Sequence, residues 1–224
     1  MGGGGAGARP GPMAHIADQL VYSKFDFSPV DSGLVHWVSR SELSAICKVE
    51  RLKPHMLLPG VKREAGFAGY TKHAAALAWK ARELEREEGD QCVAVMFRDS
   101  DGTQSSSHDN WERVVEAVEL GFSSMDFRKG VPMIPKPKQE AWILCAKKDD
   151  AYLHCHLLEE ESGNDHCQNP LKVQLAEACG CEPATEDMCE WVISREVDIE
   201  RIVMPSFDRF KESMMVALDL VSAE

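Results

Sequence analysis

Apolar and polar positions change period several times along the chain. Between Thr71 and Glu88, Leu77, Ala81 and Leu84 recur at helical spacing beside Ala74 and Ala78, which predicts an amphipathic helix. Thr71 is placed to cap its start, and Gly89 to end it in the left-handed conformation. Residues 91–97 then carry an unbroken apolar run, Cys92 to Phe97, which predicts a strand buried on both faces. From Asp109 to about Leu120, Trp111, Val114, Val115 and Val118 share one face. Asp109 and Glu112 stand at capping-box spacing there, and Gly121 is a natural stop. Val131 to Ile134 predicts a further strand. A helix–strand–helix–strand order over 71–134 signals an α/β fold, a parallel sheet with right-handed crossovers and strand 91–97 at its centre.

The flanking segments extend this pattern. Residues 15–25, ending Gln19-Leu20-Val21-Tyr22-Ser23-Lys24-Phe25, read as a first strand. Residues 32–47, around Leu34, Trp37, Val38, Leu43 and Ile46, read as a helix, and Met56-Leu57-Leu58 as a short strand before Pro59-Gly60. Pro137 sits near the start of a helix from Gln139 to about Lys147, where its missing N–H costs little. Asn169-Pro170 opens a helix from Leu171 to Cys179, and residues 185–193 add a short one. Phe207 to Val221 forms a last amphipathic helix with Phe210, Met214, Leu218 and Val221 on one face. The glycine-rich start, residues 1–13, reads as a disordered tail. Residues 14–224 read as a single α/β domain with a helical C-terminal extension from about 150.

Composition narrows the function classes. The chain has 224 residues and 44% hydrophobic content, enough for a substantial core. No apolar run reaches the length of a membrane span, and the start lacks the apolar stretch of a secretory signal. A formal charge of −12 argues against a broad basic nucleic-acid surface. It leaves room for a narrow metal-assisted site with local lysines. Eight cysteines without a signal peptide point to reduced thiols and a cytoplasmic setting. His154-Cys155-His156 and Cys179-Gly180-Cys181 offer soft ligands, but their intervals match no standard zinc module.

The candidate chemistry lies where the 91–97 strand ends, at Asp99-Ser100-Asp101-Gly102. Ligands bind beyond the carboxyl ends of strands in open parallel sheets. Two carboxylates two residues apart repel unless a cation relieves them, and hard oxygens suit Mg²⁺ or Mn²⁺. The bland alternative is a polar turn that caps the strand.

The order of motifs adds to this. After the strand-terminal aspartates comes Pro135-Lys136-Pro137-Lys138-Gln139-Glu140-Ala141-Trp142-Ile143-Leu144, then Asn169-Pro170-Leu171-Lys172. In that order the chain resembles an uncharacterised bacterial family with a TOPRIM-like fold, related to overcoming-lysogenisation-type nucleases. The resemblance spans roughly residues 20–220. It implies a Rossmann-like parallel sheet flanked by helices and metal-dependent phosphodiester chemistry on DNA or RNA. It also implies a separate ATPase partner and a role in defence against phages. By motif, Asp99 and Asp101 would hold Mg or Mn, Glu140 would be a further acid, and Lys136, Lys138 and Lys172 would meet phosphate. That family carries a glutamate at the end of its first strand. Here the matching segment ends Phe25-Asp26, so Asp26, Asp31 or Glu50 would have to substitute.

Two other readings stand beside it. Asp99 to Thr103 matches the D-x-D-G-T motif of haloacid-dehalogenase-like phosphatases, with Asp99 as nucleophile and Asp101 as acid/base. Alternatively, the chain is a non-catalytic regulatory or assembly subunit of TOPRIM-like type, which the missing first glutamate and the acidic surface suit.

Overall fold

A computed structural model describes residues 10–50, 67–100, 109–148 and 153–223. The described chain is mostly helical, with one two-stranded parallel sheet. It divides into two compact units. The first holds residues 10–37, 99–100, 135–148 and 153–211, and the second holds 38–50, 67–98, 109–134 and 212–223. No helix among the described residues is long and apolar enough to cross a membrane.

In the second unit, α2 (Arg40–Val49) precedes α3 (Ala68–Glu88), β1 (Ala94–Phe97), α4 (Asp109–Ser124) and β2 (Gly130–Met133), following α1 (Pro12–Phe25) of the first. β1 and β2 run parallel, with Ala94 opposite Gly130 and Phe97 opposite Met133. The expected helix–strand–helix–strand order and parallel pairing are therefore present. β1 is not central, however, because the sheet has two strands among the described residues. Nor is it buried evenly: Ala94 and Met96 are buried while Val95 and Phe97 are half-exposed. Ala94 and Met96 join the α3–α4 core, while Val131, Pro132 and Met133 of β2 are all buried.

That core joins Ala74, Ala78 and Ala81 of α3 to Val114, Val115, Val118 and Phe122 of α4, with Met96 and Ile134. Small residues on α3 let the two helices approach closely. The approach explains why α4 runs on through Gly121 instead of stopping there. A Cβ on Gly121 would meet the Thr71 carbonyl oxygen and lie 2.5 Å from Ala74 Cβ. Its glycine is required by packing, not by a helix end. α3 begins three residues before Thr71, with Phe67 at its N-cap and no side-chain cap. Phe67 and Tyr70 lie 6.4 Å apart and pack on the core, so apolar contact outweighs the missing cap. Gly89 does end α3 with a positive φ of 70°. The Asp109 cap falls outside the described side chains, as Met56–Leu58 falls outside the described residues.

The first unit corrects two expectations. Residues 15–25 are not a strand but belong to α1. Pro12 occupies its first turn, and the buried residues Met13, Ile16 and Leu20 recur at helical intervals, which outweighs the strand-like Val21-Tyr22 pair. Met13 is 3% exposed, so the N-terminal tail ends earlier than expected, and residues 1–9 lie outside the described set. The helix predicted at 32–47 starts only at Arg40, in the second unit. Ser39 Oγ accepts the Glu42 N–H, and Glu42 Oε2 accepts the Ser39 N–H at 2.7 Å. This capping box fixes the start of α2, while Leu34 and Trp37 stay exposed.

The remaining helices match their expected spans: α5 (Gln139–Lys147), α6 (Leu171–Cys179), α7 (Thr185–Ile193) and α8 (Pro205–Ser222), with 3₁₀ turns at Cys155–Glu160 and Ile199–Arg201. In the first unit, Trp142 meets Phe207 edge-on at 5.1 Å and stacks on Phe210 at 5.6 Å. Its indole N–H donates to Ser206 Oγ at 2.9 Å. The amide of Gln19 ties α1 to α7 and the turn after it. It donates to the carbonyls of Val192 at 2.5 Å and Val197 at 3.2 Å, and accepts the Ile199 N–H at 3.2 Å.

Most cysteines are free thiols, as expected: Cys47, Cys92, Cys167, Cys179, Cys181 and Cys189. Cys145 and Cys155 are the exception and form a disulfide, with their Cα atoms 5.4 Å apart. The end of α5 and the start of the following 3₁₀ turn bring them within bridging range, a proximity that sequence spacing does not reveal.

Candidate functional site

β1 ends at Phe97, and Asp99 and Ser100 follow in the first unit. Asp99 Oδ1 accepts the main-chain N–H of Gln139, the first residue of α5, at 3.0 Å. Ser100 is buried, and its hydroxyl lies 3.0 Å from the Pro135 carbonyl oxygen and 2.9 Å from that of Pro137. The Ser100 N–H also donates to the Pro137 carbonyl at 3.2 Å. The strand-end aspartate and the Pro-Lys-Pro-Lys-Gln-Glu segment are therefore one structure, joined by main-chain and side-chain bonds. The Lys136–Pro137 peptide within it is cis.

The structure thus brings Asp99 to the N-terminus of α5, where Glu140 is the second residue and is half-exposed. A carboxylate is stabilised at that position by the free N–H groups and the helix dipole. Asp101 lies outside the described residues. Among the described residues no three His, Cys, Asp or Glu side chains gather into a metal-sized group.

The three candidate lysines face carboxylates. Lys138 is buried, 4% exposed, and its ammonium contacts Asp165. The hydrogen bond from Lys138, then its charge, holds the Asp165 carboxyl below the ordinary range. Lys136 Nζ lies 3.9 Å from Glu159 Oε2, and the buried Glu159 also accepts the Ser206 N–H at 2.7 Å. Lys172 pairs with Glu182 at 3.3 Å on the surface, where both are exposed. Lys136 and Lys138 flank Pro137 beside Asp99, whereas Lys172 is on α6. Sequence reading missed Ser100, Glu159 and Asp165. The serine sits between two aspartates and draws no attention, and the acids lie in a polar stretch that reads as a solvated face.

The first-strand acid has no strand to sit on. Asp26 is the C-cap of α1 in the left-handed conformation, and Asp31 lies in the exposed turn after it. Glu50 is the C-cap of α2, in the second unit. Outside the bridged pair, burial raises the thiols of Cys47, Cys92, Cys179 and Cys189 above their ordinary range, which makes them poorer nucleophiles and ligands. A hollow of about 490 Å³ in the first unit, lined by Leu144, His154, Leu158 and Gln174 among others, includes neither Asp99 nor Glu140. Compared with known proteins, the chain matches no family model, no curated protein and no solved structure.

Proposed function

We propose that the chain is a TOPRIM-like protein that carries out metal-dependent phosphodiester chemistry at Asp99, Asp101 and Glu140. One observation carries this reading: Asp99, two residues after β1 in the sequence, bonds the Gln139 N–H and so ties the start of the aspartate motif to the Glu140 helix. Open α/β sheets place their ligands just after strand ends. The donors are all hard oxygens, and Mg²⁺ needs only one or two protein carboxylates beside water and phosphate. Asp99 and Asp101 would hold the ion, which would neutralise phosphate charge and favour attack on phosphorus. The Gln139 N–H orients Asp99, and the Ser100 bonds fix the loop that presents it. DNA and RNA are both candidate substrates, and a separate ATPase is the expected partner.

Cleavage of single- and double-stranded DNA and RNA with Mg²⁺ or Mn²⁺, lost in Asp99→Asn, tests the proposal. Phosphate trapped covalently on Asp99 would replace it with the phosphatase reading.

The lysine pairings favour a second reading. Lys138 and Lys136 are turned toward Asp165 and Glu159, not presented as point charges for a phosphate chain. A non-catalytic subunit that retains the scaffold fits those pairings, and predicts no cleavage with any metal.

A further inference from the structure

In the first unit, the segment after α5 returns to the Pro-Lys-Pro-Lys run and is fastened to it. Cys155, which opens the 3₁₀ turn Cys155–Glu160, is bridged to Cys145 near the end of α5. Further along the same turn, Glu159 Oε2 lies 3.9 Å from Lys136 Nζ, while its Oε1 accepts the Ser206 N–H at 2.7 Å. Beyond the turn, Asp165 contacts the ammonium of Lys138. The two acids therefore meet the two lysines in chain order. These lysines flank Pro137, whose carbonyl takes both the N–H and the hydroxyl of Ser100, next to Asp99. An ammonium asks the same of a carboxylate as of a phosphate oxygen, a negative acceptor. Carboxylates seated on Lys136 and Lys138 thus stand where phosphate would. The bridge keeps them there, because a covalent tie turns each contact into an intramolecular one at high effective concentration.

We propose that residues 155–165 form an acidic strap over Lys136 and Lys138, unfastened when a dithiol reduces the Cys145–Cys155 bridge. One thiolate of the dithiol attacks a bridge sulfur, and the other cysteine leaves as a thiolate. The second thiolate of the dithiol then attacks the mixed disulfide and frees the first cysteine. The protein gains two electrons and two protons, and the dithiol ends as a disulfide. Leu144 and His154, the residues before the two cysteines, line the hollow of about 490 Å³, and the dithiol approaches from there. Without the bridge, the strap keeps its ion pairs but loses its covalent tie. The Asp165 side chain is 61% exposed, and a pair so open to water holds weakly by itself. The strap covers lysines of the proposed site, so its bearing on cleavage rests on that reading; the release itself is read on the lysines.

The experiment is amine acylation of the full chain before and after dithiothreitol, read at each lysine by mass spectrometry. In denaturant the unreduced chain should show the six free thiols, and the reduced chain all eight. Reduction should raise acylation of Lys136 and Lys138 about ten-fold or more, the scale on which a lost tether is felt. Lys172, paired with Glu182 on the surface, is the reference and should not respond. Amide hydrogen exchange over residues 155–165 should accelerate in parallel. Cys155→Ser should show the released pattern without reductant. Asp165→Ala, at an exposed position, should leave the fold intact and raise acylation at Lys138 with the bridge still closed. Metal-dependent cleavage that rises on reduction joins the strap to the proposed chemistry. Responsive lysines with no cleavage in either state remove that chemistry and leave the strap. Eight free thiols before reduction, or acylation of Lys136 and Lys138 unchanged once the bridge is open, overturns the proposal.

Discussion

The carboxylate of Asp99 and the main-chain N–H of Gln139 meet at 3.0 Å across 40 residues of sequence. The bond makes Asp99 a capping group for α5 as well as a candidate metal ligand. Two substitutions separate these roles. Asp99→Asn keeps an oxygen for the Gln139 N–H but removes the charge, so stability should hold while metal-dependent cleavage disappears. Asp99→Ala should lose both, with about 0.5–2 kcal/mol of stability gone with the cap. Urea denaturation and cleavage assays on both variants read the two effects independently. Cleavage that survives in Asp99→Asn removes the charge from the mechanism.

Gly121→Ala should be among the more damaging one-carbon additions to the chain. Its Cβ would press on the Thr71 carbonyl and Ala74, and neither helix backbone can yield locally. Overpacking of this kind costs about 1–3 kcal/mol. A lowered urea midpoint with unchanged slope is the expected result, and a midpoint equal to the parent's would show that α3 and α4 move apart freely.

Gln19→Leu keeps the volume of the side chain but strips the polar contacts from Val192, Val197 and Ile199. The Val192 carbonyl keeps the Arg195 N–H, but the Val197 carbonyl and the Ile199 N–H lose this partner, each at about 1–3 kcal/mol before relaxation, so the substitution should cost about 2 kcal/mol or more in all. Amide hydrogen exchange at Ile199 should accelerate together with the loss of stability. Protection unchanged at Ile199 would show that another acceptor replaces the amide.

Stability should also fall as the solution becomes mildly acidic. Burial keeps His15 and His73 below the ordinary value of 6.5; Asp18 and Asp31 partly offset this at His15, and Arg98 and Arg40 add to it at His73. The unfolded chain therefore takes up protons near pH 6.5 that the folded chain resists. The stabilising contribution is complete above that pH and is lost as pH falls through the lower folded values. Asp165, held low by Lys138, adds a further loss only within the carboxylate range. Denaturation midpoints should decline between about pH 7 and about pH 5.5, and less steeply in His73→Gln. A flat profile over that window would contradict the burial of both rings.

The sequence made most helices legible because their apolar positions and stops are local signals. The Pro137 start of α5, Gly89 after α3 and the alternation around β1 are read within a few residues. α1 was misread because Val21 and Tyr22 favour strands locally, while Met13, Ile16 and Leu20 become a buried face only through contacts with distant elements. Gly121 shows the same limit: a helix stop and a close helix contact ask for the same residue. At the candidate site the aspartate motif stood out, but its tie to Gln139 did not.

The Gln19 amide links positions 173 to 180 residues apart, and this separation sets an order of events during synthesis. α1 leaves the ribosome long before α7 and Ile199 exist. At roughly 5–20 residues per second, the interval is on the order of 10–35 s. Throughout it, Met13, Ile16 and Leu20 have no α7 to cover them. The nascent chain must carry an unclaimed apolar helix for most of its translation. A helix in that position is a natural client for a ribosome-associated chaperone, and slowing elongation before residue 199 lengthens its exposure.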